Sequence, residues 1–432
     1  MAALLARAFS LGGGTYTGIE AVSNGLPILR EPRAQTGRRT MTYMALSLAV
    51  TATGLLVCYL LVDVRPQEGK TLNAVLAGAV FGDGAGGRAL VIATLASEGA
   101  LLVAAAQAGF LDGPRVLANM AHDGWVPRRF STLSERLTTQ NGILLMGGAS
   151  FAALAYTGGD VRHLVVMYSI NVFLTFSLSM LGMLGAAVRR RRGGRIALFG
   201  IAFLLCATIL GVTVFEKFEE GGWITLAVTG LLAGSCFLTR RHYDGVARQL
   251  RKLDKALAHL PEPATGNPPR VNHRQPTAAI LVGGFNGLGV ETVKHVVHTF
   301  GHSMKNLVFI SVGAIDSGTF KGEAEVEALR ATTESTVHKY EDLAHRLGHP
   351  AAGRYSVGTD PVEELDRLCR SVAETFPHVT FFAGQLAFSR ERWYDRVLHN
   401  HTTLALQKRL LEAGLTVVIL PRMVERGSRA RA

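Results

Sequence analysis

Cysteine is scarce in this chain. Cys58, Cys206, Cys236 and Cys369 are the four in 432 residues, and none has the spacing of a metal site. Three lie inside apolar runs, where a thiol acts as a small hydrophobe. A disulfide-stapled secreted scaffold and a zinc ribbon are therefore excluded. Charge is missing over long stretches. Residues 41–62, 137–159, 164–188, 196–215 and 223–239 carry no Asp, Glu, Lys or Arg, and residues 89–111 carry only Glu98. Also absent are a nucleophile–base–acid arrangement and a P-loop lysine, so no enzyme is read here.

What is there follows from those gaps. A helix that crosses a bilayer needs about 20 predominantly apolar residues. The six runs above and one more near residues 8–26 give seven spans within residues 1–240. Too many such runs occur for buried helices of a soluble protein. The loops between them alternate in charge. Loop 27–40 carries Arg30, Arg33, Arg38 and Arg39, loop 112–136 carries four arginines, and loop 189–195 carries five. Loop 63–88 is balanced, loop 158–162 nearly empty, and loop 216–222 acidic. The exit after residue 240 is basic again. Positive loops face the cytoplasm, so the part after the last span is expected there too. The formal net charge of +12 is thus spent beside apolar runs and not on nucleic acid. Counting back puts Met1 on the outer face with no cleavable signal, so further spans are expected before it in a longer protein.

The first run is interrupted. Gly12-Gly13-Gly14 weakens a helix by about 1 kcal/mol per glycine relative to alanine, and Thr15, Thr17 and Glu20 follow it. A broken helix with a carboxylate is how ion-coupled transporters coordinate a substrate at the midplane. Hydroxyls and unwound carbonyls are hard ligands suited to alkali cations. Glu20 balances a cation or carries a proton; otherwise the glycines serve close helix packing. Glu98 is a second intramembrane carboxylate, a proton relay or a structural polar contact. Tyr168, Asn171 and Thr175 share one helical face, with Ser169 beside it, and interhelical hydrogen bonding is the plainer use of them.

Past residue 240 the pattern changes. Residues 241–276 read as a linker, helical and basic to about His259 and then stopped by Pro261, Pro263, Pro268 and Pro269. From 277 to 424, strands at 278–282, 307–312, 354–357, 379–382 and 416–420 alternate with helices near 289–300, 322–347, 361–376 and 399–413. That alternation predicts a doubly wound α/β domain with a parallel sheet and right-handed crossovers. The turn after the first strand holds Gly283, Gly284, Asn286, Gly287 and Gly289. Such a turn either cradles phosphates on backbone amides or is simply tight. His295, His298 and His302 are spaced for one helix face, but without a Cys or carboxylate partner they read as solvated, not metal-binding. Residues 425–432 form a basic tail beside acidic lipid heads.

Two motifs carry a family resemblance. Thr17-Gly18-Ile19-Glu20-Ala21-Val22-Ser23-Asn24-Gly25 resembles the sixth span of the amino acid–polyamine–organocation superfamily, and looks most like the KimA-type potassium importers. Residues 113–127, Gly-Pro-Arg-Val-Leu-Ala-Asn-Met-Ala-His-Asp-Gly-Trp-Val-Pro, resemble that superfamily's cytoplasmic loop between spans eight and nine. The resemblance implies a partial leucine-transporter-type fold, spans six to twelve of two inverted five-span repeats plus two. It further implies proton-coupled potassium import in the cell membrane by a homodimer, with potassium as substrate and no cofactor. Thr17 and Glu20 match the subgroup's sixth-span ion site, and Tyr168 resembles a later-span tyrosine. The C-terminal half resembles universal-stress-protein-like domains, which in this subgroup implies inhibition by cyclic di-AMP. An amino acid permease of the same superfamily is the alternative. The first five spans would supply the other half of the cavity, so residues 1–432 alone are expected not to transport.

Overall fold

The structure is a computed structural model that describes residues 29–82, 84–134, 136–254, 269–316, 322–388 and 402–424, with residues 22, 25, 26, 257 and 260. The chain forms two compact units. One holds residues 1–113 and 143–234; the other holds 114–142 and 235–432.

The first unit is helical. In chain order the helices, of which α3, α4 and α7 extend into the second unit, are α1 Arg33–Leu61, α2 Leu72–Phe81, α3 Ala85–His122, α4 Gln140–Thr157, α5 Val161–Arg189, α6 Gly193–Lys217 and α7 Trp223–Leu253. Five of them, α1, α3, α5, α6 and α7, are long and apolar enough to cross a membrane. Six of the seven expected spans are thus helical; the run at 8–26 lies outside the described residues. The 18 residues of α4 rise about 27 Å, close to the hydrocarbon thickness. α5 packs on α6, and Val166, Ile170 and Phe173 of α5 are buried. The turn from α6 to α7 needs Gly221, whose φ is +97°, a backbone conformation that side chains resist. Within loop 63–88, read from sequence as a charge-balanced loop, the ten-residue α2 is a finding. Its N-cap is Thr71, which accepts from Ala74 N–H.

The second unit contains a five-stranded parallel sheet: β1 Thr277–Leu281, β2 Asn306–Ala314, β3 Ala351–Gly358, β4 Val379–Phe388 and β5 Val417–Val424. The helices between them are α8 Gly287–Phe300, α9 Glu323–Arg346, α10 Pro361–Thr375 and α11 Thr402–Glu412. Strand order is β3-β2-β1-β4-β5 and every pairing is parallel. Strand alternation divides the core into two layers. Ala278, Ile280, Leu307, Phe309 and Phe382 face α8 and α9, whereas Ala279, Val308, Ile310 and Phe381 face α10 and α11. The expected strands all form, each longer or shifted by a few residues at its ends. β3 admits α9 because residue 353 is glycine: a Cβ there would stand 2.0 Å from Val337 Cγ1. α10 starts at Pro361 under the Asp360 carboxylate, which accepts from Val362 and Glu363 N–H at 2.8 and 3.2 Å.

The first part of the expected linker is helical. α7 runs unbroken through residue 241 to Leu253, and Leu257 and Leu260 pack against the α8–α9 core layer.

Candidate functional site

Three places carry the groups singled out in the sequence. Thr15, Thr17 and Glu20, the expected ion ligands, lie outside the described residues. The remaining polar groups of the membrane unit are placed. Tyr168 on α5 is 43% exposed. One turn on, Asn171 accepts at Oδ1 from the Thr229 hydroxyl of α7, 2.9 Å away, and Thr175 bonds back to the Asn171 carbonyl at 2.8 Å. Asn171 is therefore a helix-to-helix tie, the plainer of the two readings. Ser169 likewise bonds back to the Val165 carbonyl. Glu98 is not isolated. Asn73 of α2 donates to its Oε1 at 2.6 Å, and the Tyr59 hydroxyl of α1 donates to Asn73 Oδ1. Sequence reasoning missed Tyr59 and Asn73. Neither is unusual locally, and only tertiary folding brings them to the carboxylate.

In the α/β domain the strand order reverses at β1, between β2 and β4. Ligands of doubly wound sheets bind at the carboxyl ends of strands at such a switch point, and the glycine-rich turn lies there. Its geometry separates the glycines. Gly283 and Gly284 face open space, but a Cβ on Gly287 would lie 2.1 Å from the Leu253 carbonyl oxygen, and one on Gly289 would lie 1.8 Å from Tyr340 Oη. The last two are thus glycines because the end of α7 and a buried tyrosine approach them. Two first-turn amides of α8 already have acceptors. Asn286 caps the helix through Gly289 N–H at 2.9 Å, and Asp254, just past α7, accepts from Gly287 N–H at 2.9 Å. A helix N-terminus favours an anion, and here the anion is the chain's own carboxylate. Tyr340 fixes the turn from beneath by donating to the Gly284 carbonyl at 3.2 Å. Burial pushes its phenol up to about 12.

The segment that carries the second family motif packs on residues 237–243 of α7 within the same unit. Trp125 meets Phe237 edge-on at 5.3 Å and Arg240 stands over its ring at 5.5 Å. The Arg240 guanidinium also donates to the Asp123 carbonyl. Arg128 lies over the Tyr243 ring, whose hydroxyl accepts from Arg128 N–H at 3.4 Å. Further on, Thr132 bridges antiparallel to Asp316, beyond β2. Aromatic and cation–π pairs at such sites contribute about 0.5–1.5 and 0.5–2 kcal/mol. Trp125→Ala is expected to speed amide exchange of residues 123–130 by about tenfold or more, read by hydrogen-exchange mass spectrometry, with the β1 and β2 amides unchanged.

His295 and His298 sit on α8, while His302 lies past its end at Phe300. Among the described residues, no three His, Cys, Asp or Glu side chains gather as a metal site would need.

The helical unit, with five helices long and apolar enough to cross a membrane, defines a multi-span membrane protein. The amino acid permease family model matches residues 3–237, more than half of the chain, and the chain belongs to the amino acid permease family. It is also 31% identical over 255 residues to the potassium transporter KimA of Bacillus subtilis strain 168. That match covers 58% of this chain and 41% of KimA, so the chain spans well under half the length of that relative.

Proposed function

We propose that this chain is part of a potassium importer driven by protons, acting in the cell membrane as a homodimer with the α/β domain in the cytoplasm. The observation that carries the reading is the 31% identity to KimA, joined to an intramembrane Glu98 held by two further helices. Thr15, Thr17, Glu20 and Tyr168 are the ion ligands in this reading, and Glu20 and Glu98 the groups that take the proton. The α/β domain is regulatory, and cyclic di-AMP is the ligand class to test on it.

The family's own description favours a second reading, uptake of an amino acid. A strain lacking other potassium uptake, carrying the gene at full length, separates the two. Growth at low potassium and rubidium uptake are expected, with at least a tenfold loss of uptake in Glu20→Gln. Amino acid uptake without rescue at low potassium would overturn the potassium reading. Calorimetry with cyclic di-AMP, cyclic di-GMP and ATP on the intact protein tests the regulatory part.

A further inference from the structure

The Tyr59–Asn73–Glu98 chain has a direction. Tyr59 donates to Asn73, and Asn73 donates to Glu98 Oε1, so the series ends on an acceptor. An ionised carboxylate is acceptor-only and fits that end. Asn73 stands 2.6 Å from Glu98 Oε1, and a bond to an ionised carboxylate is about twice as strong as one between neutral groups. A carboxylate within an apolar span is costly, and a donor aimed at it offsets part of that cost.

The three residues belong to three different elements. Tyr59 is near the end of α1, Glu98 is nine residues into the apolar run of α3, and Asn73 is in the first turn of α2. α2 reads Leu-Asn-Ala-Val-Leu-Ala-Gly-Ala-Val-Phe, so Asn73 is its single polar side chain. Among the described residues, a polar side-chain bond between α2 and α3 joins the Asn73 amide to the Glu98 carboxylate. The groups aligned on Glu98 are Asn73 from α2 and, behind it, Tyr59 from α1. Along α3 the nearest charged residues in sequence are Arg88 and Asp112.

We propose that Glu98 is a proton-binding site whose charge ties the connector helix α2 to the spanning helix α3. Protonation turns the charge-assisted bond into a neutral one and weakens the tie by about tenfold. A proton taken up here thus frees the start of α2. For its place in a transport cycle the proposal rests on the proton-coupled reading above. The tie itself does not.

Hydrogen-exchange mass spectrometry of the full-length protein in liposomes, across a pH series and corrected for intrinsic exchange, tests it. In the wild type the α2 amides are expected to be about tenfold better protected at the high-pH end of the series than at the low-pH end. Glu98→Gln keeps an acceptor for Asn73 but cannot ionise, so its α2 protection should not change with pH. Asn73→Ala keeps the carboxylate and loses the tie, so α2 should be poorly protected at every pH. A wild type without the pH step, or either variant with one, overturns the proposal. The pH step in α2 from a protein that moves no rubidium would leave the site standing and remove the potassium reading.

Discussion

Replacing Gly287 with alanine is expected to detach the end of α7 from the α/β domain. The added Cβ would stand 2.1 Å from the Leu253 carbonyl oxygen, 2.2 Å from its carbon and 2.6 Å from Asp254 N. All three are backbone atoms, so no rotamer change relieves the clash, and the chain must separate there. What is lost is the bond from Gly287 N–H to the Asp254 carboxylate. Hydrogen bonds to charged groups contribute about 1.5–3 kcal/mol, and a carboxylate at a helix N-terminus gains about 0.3–1 kcal/mol from the dipole. Exchange of the first-turn amides of α8 and of the last turn of α7 should therefore rise by roughly 30-fold or more. Asp254→Ala removes the carboxylate without the clash and should do less. Asp254→Asn keeps an acceptor and should do least. The β1 amides should stay protected in all three, because the core layers are not touched. Equal exchange in Gly287→Ala and wild type would show that this contact does not hold the two segments together.

The same junction shows what was legible in the sequence. The spans were, because five runs without a single charge permit little else, and the family match agrees. The sheet was also legible: short apolar runs such as Leu307–Val312 between helical stretches fix both the strands and their parallel sense. The glycine turn was legible only as a turn. A glycine that admits a phosphate and one that admits a neighbouring carbonyl look the same in sequence, since both exist to remove a Cβ. Asp254 is 33 residues from Gly287, and nothing local marks it as a cap. α2 escaped notice because a ten-residue, largely apolar run is too short to span, and the charges around it, Asp63 to Lys70 before and Arg88 after, read as an ordinary loop. Glu98 stood out as a carboxylate in an apolar run, but its partners depend on how α1, α2 and α3 meet.

Tyr340 should set the stability of the α/β domain and its dependence on alkaline pH. The side chain is fully buried. It stacks on Phe309 at 5.4 Å and meets Phe285 at 4.9 Å. Tyr340→Ala should cost about 3–5 kcal/mol, as large aromatic truncations in cores do. Tyr340→Phe keeps the packing and loses only the bond to the Gly284 carbonyl, about 1 kcal/mol. The pH series distinguishes them further. The phenol has its ordinary value, 10.0, in the unfolded chain and is pushed up to about 12 when folded. Its contribution is complete below pH 10 and is lost as pH rises toward 12, because the unfolded chain releases the proton first. That loss is on the order of 2–3 kcal/mol, and Tyr340→Phe does not suffer it. The buried Cys369 thiol, raised from 9.0 to about 12, weakens both proteins alike. Wild type should therefore be the more stable at neutral pH and the phenylalanine variant the more stable above about pH 11. Urea-dependent alkylation of Cys369, read by peptide mass spectrometry, follows both. A constant stability difference from pH 8 to 12 would mean that the phenol is not buried as tightly as its ring contacts place it.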